Sequence, residues 1–168
     1  MSIATAPSRI DRIICVSAAV KTYLEKQMWW GTDKLVTVYK GHDLAWYQQP
    51  AADLGALNLP AGAFKVAMVA NLRAHKGLHV LVAATHYLPE AAPIHILLVG
   101  PKPDDPAVLQ TISKAAHPER IHVLGYRDDA PEVAAASDII VLPTTKREGL
   151  ARAVVEAMAY GRPAVISN

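Results

Sequence analysis

The stretch EGLARAVVEAMAYGRPAVISN, residues 148–168, predicts a helix followed directly by a strand. Its first part is rich in alanine and carries apolar residues at helical spacing, which predicts a helix over residues 150–160. Gly161 and Pro163 end that helix, and the apolar run that follows predicts a short strand over residues 164–167. A helix joined to an apolar strand by so short a turn is the repeating unit of parallel sheets.

The same alternation of helix and strand runs through most of the chain. Strands are predicted over residues 13–17, 35–39, 65–70, 94–99, 121–124 and 139–142, and helices over residues 18–28, 77–88, 106–116 and 130–136. The strand segments are largely apolar rather than alternating, which indicates strands that are covered on both faces. The sequence therefore predicts an α/β fold with a doubly wound parallel sheet.

One segment interrupts this alternation. Residues 43–63, DLAWYQQPAADLGALNLPAGA, contain two prolines and two glycines and have no clear period. The two strands and one helix before this segment are too few to bury a core of their own. We expect a remnant of an N-terminal domain over residues 1–45, a linker over 46–60 and one main domain over 61–168.

Composition excludes several classes of protein. Of the 168 residues, 52% are hydrophobic and 19% charged, so the chain can form a core. The formal net charge of +2 is too small to indicate a nucleic acid partner. Cys15 is the single cysteine, which precludes a disulfide within the chain and fits the cytoplasm. No apolar run reaches the roughly 20 residues of a membrane-spanning helix.

The loop after the first strand of the main domain is a candidate anion site. In open α/β sheets, ligands bind beyond the carboxyl ends of the strands. Residues 71–77 follow such a strand and include Arg73 and Lys76 just before a helix. Two cations at a helix start favour phosphate binding. The alternative is that both are ordinary solvated loop charges.

Glu148 and Glu156 are a candidate pair of ligand-binding carboxylates. Seven residues separate them, with Glu148 in the loop or first turn of the last helix. Their separation along a helix axis is about 12 Å, comparable with a nucleoside diphosphate attached to a sugar. Glu156 lies among apolar residues, so we expect its charge to have a partner. The alternative is two ordinary helix formers.

The segment from Glu148 to Glu156 resembles the Glu-x7-Glu motif of retaining glycosyltransferases of family four, which have the GT-B fold. The flanking residues Glu148-Gly149-Leu150 and Glu156-Ala157-Met158-Ala159 resemble it too. The resemblance implies that residues 61–168 are the Rossmann-like, nucleotide-sugar donor-binding domain, truncated at its C-terminus. Most of the acceptor-binding N-terminal domain is then missing, and we expect the isolated chain to be inactive.

The resemblance also implies roles for individual residues. Glu148 would face the donor sugar, and Lys76 would bind the diphosphate and neutralise its charge as it leaves. Glu156 would hold the ribose hydroxyls. The other residues that the resemblance assigns to donor binding are Gly149, Leu150, Arg73, Asn71, Tyr126 and Arg127. Asn71 departs from the family, which usually has an arginine there, and Arg73 is the candidate substitute.

The implied activity is transfer of a hexose-type sugar from a nucleotide-sugar to a glycan or lipid-linked acceptor. Because protein groups stabilise the leaving diphosphate, we expect no metal and no other cofactor. Two alternatives stay open: a nucleotide-sugar epimerase of the same fold, and a non-catalytic nucleotide-binding module. Trp29 and Trp30 leave peripheral membrane contact open, at the inner face of the membrane.

Overall fold

The computed structural model describes residues 9–71, 73–100, 102–146 and 148–167. Its strands are β1 (Ile13–Cys15), β2 (Leu35–Thr37), β3 (Phe64–Val69), β4 (Ile94–Val99), β5 (Ile121–Gly125), β6 (Ile139–Leu142) and β7 (Ala164–Ile166). Its α-helices are α1 (Ala18–Gln27), α2 (Leu78–Ala84), α3 (Pro106–Ile112), α4 (Ala130–Ala135) and α5 (Arg152–Ala159). The predicted alternation of strands and helices is confirmed, with the ends of elements displaced by a few residues.

The ends of α2 and α3, predicted at residues 88 and 116, each lie four residues earlier in the structure. Helix α2 ends at Ala84 and continues as one turn of 3₁₀ helix, Thr85–Tyr87. The Thr85 hydroxyl donates to the Val82 carbonyl oxygen at 2.6 Å and accepts from the Ala116 backbone N–H at 3.0 Å. This buried hydroxyl ties the turn to the segment after α3, a long-range contact that helical periodicity does not reveal.

The chain divides into two compact units, residues 9–42 with 148–151 and residues 43–146 with 152–167. In the smaller unit, β1 and β2 form a two-stranded parallel sheet. Cys15 and Leu35 are buried there, whereas Ile14 and Val36, opposite each other on the two strands, are exposed. The Ser17 side chain caps α1 by accepting from the Val20 backbone N–H.

The larger unit contains a five-stranded sheet in the order β5-β4-β3-β6-β7. All neighbouring strands run parallel. Starting from β3, the chain adds β4 and β5 on one side of that strand and then β6 and β7 on the other. This order confirms the predicted doubly wound sheet.

Helices cover both faces of this sheet, and each face has its own core. Buried side chains of α2 and α3 pack with one set of strand residues, which includes Val66, Met68, Ile96 and Leu98. Buried side chains of α4 and α5 pack with the other set, which includes Ala67, Leu97, Val99 and Ile140. Alternate residues of each strand therefore enter opposite cores, as the largely apolar runs predict.

The segment predicted as a linker, residues 46–60, lies in the larger unit. Leu54 and Leu57 pack against the core that contains α4 and α5. The Ala52 backbone N–H donates to the Glu132 carbonyl oxygen at 3.0 Å. At the start of this segment, a 3₁₀ turn over Leu44–Tyr47 brings the Tyr47 ring edge-on to Tyr160, with ring centroids 5.8 Å apart. Within the described ranges, no helix combines the length and apolar character that crossing a bilayer requires.

Candidate functional site

The candidate site lies at the carboxyl ends of β3 and β6, where the strand order of the larger unit reverses. The chain leaves β3 toward α2 on one face of the sheet, and it leaves β6 toward α5 on the other. The two connections therefore leave the sheet toward opposite faces, and such a reversal of strand order is the usual ligand position in doubly wound sheets.

The loops after β3 and β6 are fastened to each other. The Thr145 backbone N–H donates to the His75 carbonyl oxygen at 2.8 Å. Gly77 has a φ of +81°, and a Cβ on it would lie 1.8 Å from the Pro143 carbonyl oxygen. Lys76 lies between these two fixed points, in a 3₁₀ turn over residues 74–76, and is partly buried. Its backbone position is therefore set by contacts on both sides.

Glu156 lies in the middle of α5 and is only 6% exposed. Its Oε1 is 2.8 Å from Nε of Arg152, one helical turn earlier. The expectation that this buried charge has a partner is confirmed. Tyr47 is near the same pair: burial raises the pKa of its phenol, the negative charge of Glu156 raises it further, and Arg152 opposes that effect.

The start of α5 differs from the prediction. The helix begins at Arg152 rather than at residue 150, so Glu148 precedes it by four residues and the 12 Å axial estimate does not apply. Glu148, Gly149 and Leu150 belong to the smaller unit. A Cβ on Gly149 would lie 3.1 Å from Val16 and 3.2 Å from Val20, so this glycine packs against the turn after β1 and the first turn of α1. That long-range packing explains why the helix starts late.

Tyr126 and Arg127 follow β5, which is separated from β3 by β4. Tyr126 is 81% exposed. Arg127 forms a bidentate ion pair with Asp129, with Nε–Oδ1 and Nη2–Oδ2 distances of 2.7 and 2.6 Å. The hydrogen bonds to Arg127 hold the pKa of Asp129 below its usual value. The Nε–Nη2 edge is thus occupied, which leaves the flat face and Nη1 of the guanidinium for a ligand.

Asn71 and Arg73 are exposed in the loop after β3, on either side of residue 72, which lies outside the described residues. The structure thus places Asn71, Arg73 and Lys76 on one loop, which contacts the loop after β6. Tyr126 and Arg127 lie two strands away from that loop.

Sequence reasoning missed two residues beside Glu156. Arg152 carried a signal, since an arginine four residues before a glutamate lies on the same helix face. Tyr47 carried none, because it comes from the non-periodic segment and is more than 100 residues away in the chain. Among the residues that the structure describes, no group of three or more His, Cys, Asp or Glu side chains could hold a metal ion.

Comparison with curated proteins gives similarity to bacterial glycosyltransferases. The chain is 28% identical over 170 residues to the Escherichia coli UDP-Gal:alpha-D-GlcNAc-diphosphoundecaprenol alpha-1,3-galactosyltransferase, covering 94% of this chain and 42% of that protein. It is 23% identical over 155 residues to the lipopolysaccharide core biosynthesis glycosyltransferase LpsE of Rhizobium meliloti, covering 92% of this chain and 43% of that protein. The chain thus spans about two fifths of the length of these relatives.

Solved structures show the same likeness. Anabaena HepE in complex with UDP and glucose superposes with a TM-score of 0.77 at 26% identity, over 93% of this chain and 44% of that one. Sucrose-phosphate synthase from Thermosynechococcus elongatus superposes with a TM-score of 0.75 at 25% identity, over 95% of this chain and 42% of that one. These likenesses confirm the predicted Rossmann-like half of a GT-B fold. The family model described as "Glycosyl transferases group 1" matches residues 63–168, and the chain belongs to that glycosyltransferase family.

Proposed function

We propose that this chain supplies the donor-binding part of a retaining glycosyltransferase. The complete enzyme would transfer a hexose-type sugar from a nucleotide-sugar to a glycan or lipid-linked acceptor. The observation that carries the proposal is the buried carboxylate of Glu156, paired with Arg152 on α5, the helix that follows β6 at the reversal of strand order.

Glu156 suits a ligand that offers hydroxyl groups. An ionised carboxylate only accepts hydrogen bonds, and its two oxygens match two adjacent hydroxyls such as those of a ribose. Hydrogen bonds from a ligand to an ionised carboxylate are charge-assisted and therefore stronger than those between neutral groups.

The loop after β3 suits the diphosphate. Lys76 would neutralise the negative charge that builds on the diphosphate as the bond to the sugar breaks, with Arg73 and Asn71 beside it. A fixed cation does this without reorganisation, and the contacts of His75 and Gly77 with the loop after β6 fix the backbone of Lys76.

The remaining roles follow from the family. Glu148 would face the donor sugar, and Gly149 and Leu150 would offer backbone N–H groups. Tyr126 and the flat face of Arg127 would contact the base, which their exposure and pairing permit. We expect no metal to take part.

The acceptor is the least constrained part of the proposal. The E. coli relative is named for a diphosphoundecaprenol-linked substrate, which supports a lipid-linked acceptor for this protein. Trp29, which is 91% exposed in the smaller unit, supports peripheral contact with the inner face of a membrane.

UDP is the first ligand to test, because HepE was solved with UDP and the E. coli relative is named for UDP-Gal. Isothermal titration calorimetry of the 168-residue chain should detect UDP binding, unchanged by EDTA. Glu156→Gln should weaken binding about tenfold or more, as expected for the loss of hydrogen bonds to a charged group. Glu90→Gln, an exposed carboxylate before β4, is the matched control and should leave the affinity unchanged.

Other outcomes would contradict parts of the proposal. Failure of the unaltered chain to bind UDP, other nucleoside diphosphates or their sugars would remove the donor site. Conversion of a UDP-sugar into its epimer without an acceptor would favour the epimerase. We expect no sugar transfer by this chain alone, because the matched relatives are more than twice as long.

A further inference from the structure

We propose that Arg152 is a positioning residue for the ribose of the donor, acting through Glu156. This inference rests on the proposed function, because it assumes that Glu156 accepts the ribose hydroxyls. Arg152 would hold the carboxylate in one orientation, so that the ligand meets a fixed acceptor.

The first argument is the asymmetry of the ion pair. The Arg152 side chain is 66% exposed, whereas that of Glu156 is 8% exposed. An ordinary ion pair between residues four apart on a helix has both ends in water and contributes little to stability. Here the carboxylate is buried, so removal of the arginine would leave a buried charge without its partner, which is strongly unfavourable.

The second argument is that helix stability does not explain Arg152. It is the first residue of α5, where the positive end of the helix dipole disfavours a cation. The order is also the less stabilising one, since a pair spaced by four residues is stronger with the acid first. A cation in this unfavourable place is better explained by what it does to Glu156.

The third argument is an internal comparison. Lys21 and Glu25 on α1 have the same spacing and the same order, with the cation first. Their nitrogen–oxygen distance is 3.9 Å and both side chains are exposed, at 37% and 43%. The two pairs differ in distance and in burial of the acid. Lys21 therefore offers a matched control for a cation that lacks a positioning role.

The proposal predicts an effect confined to ligands that carry ribose hydroxyls. If Arg152 acts only by presenting Glu156 to those hydroxyls, its loss weakens UDP but not 2′,3′-dideoxy-UDP, which lacks both. A merely structural role for Arg152 would weaken both ligands together. The difference between the two ligands is thus the readout that separates positioning from general stability.

The experiment measures both ligands by calorimetry on the unaltered chain and on variants. The unaltered chain should prefer UDP by about tenfold or more, the range for hydrogen bonds to a charged group. Arg152→Ala should remove most of that preference by weakening UDP alone. Arg152→Lys should restore much of it, and Lys21→Ala should change neither affinity. If Arg152→Ala does not fold, Arg152→Gln removes the charge while keeping most of the side chain.

Four results would overturn the inference, and they differ in what they leave standing. Equal weakening of both ligands by Arg152→Ala, or no effect on either, refutes the positioning role and leaves the donor site intact. Equal binding of UDP and dideoxy-UDP by the unaltered chain shows that Glu156 does not hold the ribose. Absence of UDP binding removes the proposed function itself.

Discussion

Gly77 tightly constrains the backbone of the candidate site. Its φ of +81° disfavours any residue with a side chain, and a Cβ would lie 1.8 Å from the Pro143 carbonyl oxygen. The close approach joins the loops after β3 and β6, so this contact helps to fix the backbone beside Lys76.

Gly62 is a matched control for Gly77. Its φ is +79°, but no atom lies within 4 Å of the position of its Cβ. We expect Gly62→Ala to lower the free energy of unfolding by about 1–2 kcal/mol through backbone strain alone. Gly77→Ala should lower it by about 1–3 kcal/mol more, through the clash with Pro143. Chemical denaturation of both variants measures the difference, and equal losses would show that the two loops part easily.

Single residues of the site were partly predictable from sequence. The apolar neighbours of Glu156 predicted that its charge has a partner, because a buried charge requires one. That the Arg127 side chain would bind Asp129 was not predicted, because an aspartate just before a helix more often caps it. Asp129 stands at that position before α4, but its carboxylate is bound to Arg127 instead.

At the scale of elements, β4 and β5 are joined by a pair of histidine rings. His95 Nδ1 and His122 Nε2 lie 3.0 Å apart, in hydrogen-bonding contact. One of these nitrogens carries a hydrogen and donates it in the hydrogen bond, and the other accepts that hydrogen bond. Protonation of both rings removes the acceptor. Burial lowers the pKa of both rings; the charge of Arg120 lowers that of His95 further, and Glu119 opposes this.

The lowered pKa values predict acid sensitivity of the edge strand. Unfolded histidine takes up a proton near pH 6.5 and the folded rings do so only at lower pH, so stability falls as pH drops below about 6.5. From pH 7.5 to 5.5, the melting temperature of the unaltered protein should fall about 2–4 °C more than that of His122→Gln. His79→Gln, an exposed histidine on α2, is the control and should behave like the unaltered protein. A fall of equal size in all three proteins would refute a role for the pair.

The elements themselves show where sequence reasoning stops. The strands β4 and β6 have the predicted bounds, because short runs rich in β-branched and apolar residues are a local signal. The start of α5 was not predicted correctly from sequence, because the packing of Gly149 against Val16 and Val20 is long-range. The contact between His95 and His122 could not be predicted for the same reason. It depends on the register of β4 and β5, which places His122 opposite Leu97 and cannot be read from either strand alone.

At the scale of the whole molecule, the two units differ in the size of their sheets and in how much buried core stabilises them. The larger unit has a five-stranded sheet with a buried core on each face. The smaller has two strands of three residues and one helix, α1, none of whose residues is buried. A two-stranded sheet is only marginally stable in water.

This contrast predicts two levels of protection from hydrogen exchange. Amides of β1 and β2 should open through local unfolding, whereas those of β3 and β4 should exchange only through global unfolding of the larger unit. A difference of about 3 kcal/mol between these events corresponds to a protection roughly 100-fold lower in β1 and β2. Mass spectrometry of peptides covering residues 13–15, 35–37, 64–69 and 94–99 measures this difference at neutral pH. Equal protection in the four peptides would instead mean that both units open as one cooperative structure, and the division of the chain would then have no energetic counterpart.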